Sequence, residues 1–208
     1  MDIRVFKVKN TSDQIDFINA IINKKDYSIV DQLITDVFLS PNEYKSDIEN
    51  TLINCIVENY ESYLSLLTNG VKKRKGRLSG LCAYILGECV YKNNIIVDEN
   101  LPILLIDSIK HESYKHDAVY GYYITALEEC VKINPLLTPK KLLWKILSLL
   151  EKEIDPPIIT IKSIFNMLYL TDKKYFILKI KQLNIKSENQ HFIDIIHEFA
   201  EENGYNLT

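Results

Sequence analysis

The sequence lacks several features that would define common classes of protein. Glycine is scarce, with six in 208 residues, and no glycine-rich phosphate loop or nucleophile elbow appears. No stretch approaches the roughly 18 to 20 consecutive apolar residues that a membrane span requires. The first seven residues carry charges where a signal peptide has an apolar run. We therefore expect a cytoplasmic protein without a membrane partner.

Cysteine and histidine are also few, at four each. No two cysteines form a CxxC pair, and Cys82 and Cys89 would lie on one helix face about 10 Å apart, too far for a disulfide. No two histidines have the i, i+4 spacing that holds zinc on a helix. The sequence therefore predicts free thiols in a reducing compartment. It predicts no metal site, cofactor or catalytic residue, so we expect a protein that is not an enzyme.

Charge balance bears on the class of partner. The net charge is -3 and the isoelectric point is about 5.9. Proteins that bind nucleic acid usually carry a strongly basic face, because phosphate neutralisation supplies most of the affinity. Nucleic acid is therefore not the expected partner.

Apolar residues recur at helical spacing almost throughout the chain, which predicts an all-α fold. The pair Asn203–Gly204 is typical of a left-handed helix end. The predicted helices cover about 12–23, 29–39, 41–67, 77–91, 101–111, 117–133, 139–153, 157–170, 172–184 and 188–203.

A repeat is the most informative feature of the sequence. The stretch 80–93 matches the stretch 121–134 at an offset of 41 residues, including Leu86 with Leu127 and Cys89 with Cys130. A period near 40 in a helical protein is typical of a solenoid, in which each helix pair buries its apolar face against its neighbours.

The repeated residues resemble a known family. Residues 82–88 are similar to the Ala-Ala-x-x-Leu-Gly-Glu stretch of HEAT repeats, and residues 117–119 resemble the opening of the same helix, although Tyr120 stands where arginine is usual. The resemblance implies a HEAT-like α-solenoid of about four helix pairs. We expect an N-terminal helical cap over 1–70 and helical repeats over 71–208, in one continuous domain.

Two further resemblances concern function. Residues 76–84 resemble the Gly-Arg-hydrophobic motif of helical-bundle antagonists of apoptosis, including viral ones, although more chain follows the motif here than in that family. The small, acidic, motif-free helical chain also resembles bacterial immunity proteins, which mask a toxin. The hypotheses are therefore an immunity protein on a basic toxin domain, a general scaffold or adaptor, or a viral-type antagonist.

The candidate partner-binding residues are tyrosines and carboxylates on the second helix of each suspected pair. Exposed tyrosines give a large contact area at a small entropic cost, so they concentrate at interfaces. We expect Tyr84, Glu88 and Tyr91 on one stripe, and Tyr120 with Glu128 on another, both off the core face. Further candidates are Glu129 and the basic loop residues Lys72, Lys73 and Arg74.

Overall fold

The computed structural model describes residues 6–7, 9–39, 46–73, 76–93, 99–111 and 117–207. Within these ranges the chain forms eleven α-helices and one 3-10 turn, and no β-strand. The prediction of an all-α fold is confirmed. Among the described helices, none is both long enough and apolar enough to cross a bilayer.

The helices follow one another closely along the chain. They are α1 (Thr11–Lys24), α2 (Tyr27–Leu39), α3 (Ser46–Glu58), α4 (Tyr60–Lys73), α5 (Arg77–Asn93), α6 (Asn100–His111), α7 (Asp117–Ile133), α8 (Lys140–Leu150), α9 (Ile158–Thr171), α10 (Lys173–Lys186) and α11 (Gln190–Glu202). The 3-10 turn Pro135–Leu137 follows α7.

The helix predicted over 41–67 differs from the structure. Residues 41–45 lie outside the described ranges, and the remainder is two helices separated at Asn59. The Asn59 side chain donates a hydrogen bond to the Cys55 carbonyl at 2.9 Å, which satisfies an acceptor at the end of α3. The second helix continues to Lys73, so the prediction that Lys72 and Lys73 belong to a loop is wrong. Asparagine competes with the backbone for hydrogen bonds, so it favours such breaks.

Side chains mark several helix starts. The side-chain oxygens of Asn10, Asp172 and Asn189 each accept a hydrogen bond from the backbone N–H three residues later, at 2.9, 3.1 and 3.2 Å. These are N-caps, which satisfy donors that the helix leaves unpaired. At the other end of α11, Gly204 has φ +64°, so the predicted left-handed end is confirmed.

Successive odd-numbered helices lie side by side. Helix α1 packs on α3, α3 on α5, α5 on α7, α7 on α9 and α9 on α11. Helix α2 likewise packs on α4, and α4 on α6. The odd-numbered helices therefore form one row of neighbours. A single cluster of buried apolar side chains extends from Phe6 to Phe199.

Helices α5 and α7 approach each other closely at Gly87. A Cβ atom placed on Gly87 would lie 2.8 Å from the Ala126 Cα, a distance that packed atoms do not tolerate. Leu86 and Leu127, which the repeat predicts to be equivalent, are both buried beside this crossing. The two small residues let the backbones meet, and the two leucines fill the space around them.

A buried hydrogen-bond chain also ties α7 to the earlier helices. The Tyr123 hydroxyl of α7 donates to the Ser79 Oγ of α5 at 2.6 Å. The Ser79 hydroxyl in turn donates to the Val71 carbonyl of α4 at 2.9 Å. All three residues are buried. These two hydrogen bonds satisfy the carbonyl of the buried residue Val71, so they fix the relative position of α4, α5 and α7.

Candidate functional site

Three of the predicted residues lie along one stripe of α5. Tyr84, Glu88 and Tyr91 are spaced by four and three residues, which places them on the same side of a helix. Tyr84 and Glu88 are half-buried, and Tyr91 is 66% exposed. The prediction that they share a stripe off the core face agrees with the structure.

This stripe borders a shallow groove between α5 and α7. The groove has a volume of about 250 Å³, and its lining includes Tyr84, Glu88 and Tyr91 from α5 and Thr125 and Glu129 from α7. Because Gly87 has no side chain, the groove reaches down to the crossing of the two helices.

The wall of the groove is stiffened by an aromatic pair. The Tyr84 ring lies 5.7 Å from the Tyr122 ring of α7, at an interplanar angle of 49°. Burial, followed by the charge of Glu88 and a hydrogen bond to its carboxylate, raises the pKa of the Tyr84 hydroxyl. The phenol is therefore neutral at physiological pH and is held between Tyr122 and Glu88.

Both carboxylates of the groove have a lysine close by. Glu88 lies 3.9 Å from Lys92, and Glu129 lies 2.8 Å from Lys132. Burial lowers the pKa of Lys132, but the hydrogen bond to Glu129 and the nearby negative charges outweigh it, and the net effect is a raised pKa. The groove therefore presents paired charges around exposed tyrosine, rather than a bare negative surface.

Polar contacts also join other neighbours in the row of odd-numbered helices. Cys55 of α3 contacts Asn19 of α1 at 3.1 Å, and Lys92 of α5 contacts Asn54 of α3 at 2.8 Å. Asn166 of α9 contacts Glu128 of α7 at 3.1 Å, and Lys162 of α9 contacts Glu198 and Glu202 of α11 at 2.8 Å each. At the step from α5 to α7, the tyrosine pair beside the groove makes the contact on this stripe. The groove therefore lies beside the one of these five helix contacts that is made by aromatic rings.

Tyr120 and Glu128 do not lie on an exposed stripe, and that prediction is wrong. Tyr120 is 3% exposed and Glu128 is 6% exposed. The Glu128 carboxylate accepts a hydrogen bond from Asn166 of α9 and lies 3.3 Å from Lys132. Helix α7 packs against α5, α6 and α9, so three neighbours cover most of its circumference. A helical wheel that considers one neighbour leaves these positions open.

The basic residues predicted as a loop site are only partly described. Lys72 and Lys73 are exposed in the last turn of α4, where positive charge interacts favourably with the helix dipole. Arg74 lies outside the described residues. Neither lysine lines the groove between α5 and α7.

Sequence reasoning missed three residues of the groove. Thr125 and Lys132 lie four residues before and three residues after Glu129, so they share its side of α7. That spacing was available in the sequence. The third residue, Gly87, was recognised only as part of the repeat, because the closeness of a crossing appears only when both helices are in place.

The described residues contain no cluster of histidine, cysteine and carboxylate side chains that could hold a metal ion. No family model, no curated protein and no solved structure matches this chain. The properties of the groove are therefore the basis for assigning a function.

Proposed function

We propose that this chain is a non-enzymatic protein-binding module built as a solenoid of helix pairs. The row of odd-numbered helices supports the solenoid, since each packs on the next along the chain. The equivalent burial of Leu86 and Leu127 at the 41-residue offset supports helix pairs as the repeating unit. In such a fold, one side of the row is an extended surface suited to holding another protein.

The observation that carries the proposal is Tyr91. A tyrosine that is 66% exposed, at the rim of a groove beside the Tyr84–Tyr122 pair, has no role in the core of the free chain. Tyrosines that become desolvated in an interface commonly contribute about 2 kcal/mol or more to affinity. The surrounding Glu88 and Glu129 form a polar rim, as protein interfaces usually have.

The kind of binding protein that we propose is an inhibitor or immunity protein that masks its partner, such as a basic toxin domain. Glu88 and Glu129 would exchange Lys92 and Lys132 for cations of the partner. Such an exchange keeps each carboxylate paired, so the cost of burying it is reduced. Charge complementarity of this kind speeds association and makes it sensitive to salt.

A general scaffold or adaptor is the second candidate, and one observation favours it. Helices α8 and α10 carry basic and apolar side chains on a surface that does not include the groove. A protein with two chemically different surfaces can hold two partners at once.

The experiment uses position 91 as a probe. A photo-crosslinking amino acid replaces Tyr91 in the full chain, expressed in the source cells, and the crosslinked proteins are identified by mass spectrometry. The affinity of the captured partner for Tyr91→Ala is then measured. We expect a loss of about 30-fold, the equivalent of about 2 kcal/mol. The free energy of unfolding should remain unchanged.

Tyr27→Ala is the matched control. Tyr27 is also a half-exposed tyrosine, and the centre of its ring lies 5.5 Å from the centre of the Tyr63 ring. A crosslinker at position 27 should give no adduct with the same protein. If Tyr91→Ala and Tyr27→Ala bind the captured partner equally well, the groove is not the binding site.

A further inference from the structure

The charge of the chain is distributed unevenly between its helices. Helices α8 and α10 contain eight lysines, three and five respectively, and no aspartate or glutamate within their bounds. Most of these lysines are exposed. Because the whole chain has a net charge of -3, the rest of the molecule is acidic.

An aromatic contact joins the two helices. The Trp144 ring of α8 lies 6.3 Å from the Tyr175 ring and 6.2 Å from the Phe176 ring, both in α10. Phe176 is buried, whereas Tyr175 is 45% exposed. The aromatic contact therefore joins the helices at the surface as well as in the core.

Apolar side chains lie among the lysines of this surface. Leu178 is 57% exposed one turn beyond Tyr175, and Trp144, which contacts the Tyr175 ring, is half-buried. The Lys179 Nζ lies 5.9 Å from the centre of the Tyr175 ring. The carboxylate before α10, Asp172, caps that helix and accepts a hydrogen bond from the Tyr175 backbone N–H. The two helices therefore combine accessible apolar side chains with exposed lysines, one of which lies against the Tyr175 ring. The apolar side chains Trp144, Tyr175 and Leu178 are called the apolar floor.

We propose that the surface of α8 and α10 binds an acidic segment of a partner protein that carries apolar side chains between its carboxylates. The lysines would pair with the carboxylates, and Trp144, Tyr175 and Leu178 would receive the apolar side chains. This arrangement has the apolar centre and polar rim of a protein interface. The proposal does not depend on the groove between α5 and α7.

Two other anionic occupants fit less well. Nucleic acid offers phosphates, which gain nothing from Leu178, and neither helix contains arginine, the usual bidentate phosphate ligand. A lipid surface requires apolar side chains that reach beyond the charged ones. Lysine side chains are longer than the leucine side chain of Leu178, and Trp144 is half-buried.

The test measures binding of a defined probe to the full chain. The probe is a fluorescent synthetic peptide with glutamates interleaved with leucines, and fluorescence anisotropy gives its Kd. A second peptide with the same glutamates and serine in place of leucine reports the contribution of the apolar floor. We expect the leucine peptide to bind at least tenfold more tightly, and binding to weaken as salt is raised.

The variant K145E/K174E is expected to weaken binding of the leucine peptide by tenfold or more. The matched control is K72E/K73E, which changes the net charge equally at the end of α4 and should retain wild-type affinity. Tyr91→Ala should also retain it, which separates this surface from the groove. Circular dichroism confirms that each variant is folded.

Three outcomes would overturn the proposal. The first is equal loss of affinity in K145E/K174E and K72E/K73E, which means that only net charge matters. The second is equal affinity for the leucine and serine peptides. The third is tighter binding to vesicles that contain phosphatidylserine, or to a DNA duplex, than to the leucine peptide.

Discussion

The close crossing of α5 and α7 at Gly87 gives a sharp test of helix packing. In Gly87→Ala, the added methyl group would lie 2.8 Å from the Ala126 Cα and 3.1 Å from its Cβ. The first contact is to backbone, so α5 and α7 must move apart. Overpacking of this kind costs about 1–3 kcal/mol. Replacing glycine by alanine within a helix returns about 1 kcal/mol at most, so we expect a net loss of up to about 2 kcal/mol.

Gly121→Ala provides the matched comparison on α7. Its Cβ would meet only the Thr160 Oγ1, at 3.3 Å, and a side-chain hydroxyl can shift by a few tenths of an ångström. The higher helix propensity of alanine then determines whether the free energy of unfolding rises or falls, and we expect it to equal that of wild type or to be slightly higher. Urea titration followed by circular dichroism measures both variants. The close packing at Gly87 is refuted if Gly87→Ala is more stable than wild type, or if Gly121→Ala loses more stability than Gly87→Ala does.

The other predictions concern buried groups, and urea titration measures each one. Leu86→Ala and Leu127→Ala should each lose about 2–5 kcal/mol, and losses below about 1 kcal/mol at both would refute their equivalent burial. Tyr123→Phe should lose about 1 kcal/mol with its buried hydrogen bond to Ser79, and an unchanged stability would contradict that bond. Burial raises the pKa of the Cys89 thiol from 9.0 to about 12. The free energy of unfolding should therefore be constant below pH 9 with respect to this group and should fall as pH rises toward 12. Cys89→Ala should reduce this fall, and an equal fall in the variant and the wild type would refute the prediction.

The sequence was sufficient to predict the all-α fold because helical periodicity persists along the chain. The 41-residue repeat also identified Leu86 and Leu127 as equivalent buried positions. The break at Asn59 was missed, since a single polar residue interrupts an apolar stripe that otherwise continues into α4. The extent of α4 was missed for a related reason: residues 69–73 look like loop by composition, but they complete a helix whose other turns are anchored in the core.

The predicted exposure of the candidate stripes agrees with the structure on α5 and is wrong on α7. Helix α5 leaves Tyr84, Glu88 and Tyr91 at least partly exposed, as a helical wheel indicates. On α7, the same reasoning placed Tyr120 and Glu128 outward, but both are buried, and Glu128 is hydrogen-bonded to Asn166 of α9. The number of neighbours around a helix is a property of the tertiary arrangement, and local spacing does not reveal it.

The row of odd-numbered helices has a consequence for how the chain reaches its structure during synthesis. Among the described helices, the principal contacts join helices no more than three positions apart in the chain. Each helix therefore finds its neighbours soon after it leaves the ribosome, without waiting for a distant segment. Such local contacts favour rapid folding. The N-terminal helices can bury their apolar faces while α10 and α11 are still being made, which shortens the time in which aggregation-prone surface is exposed.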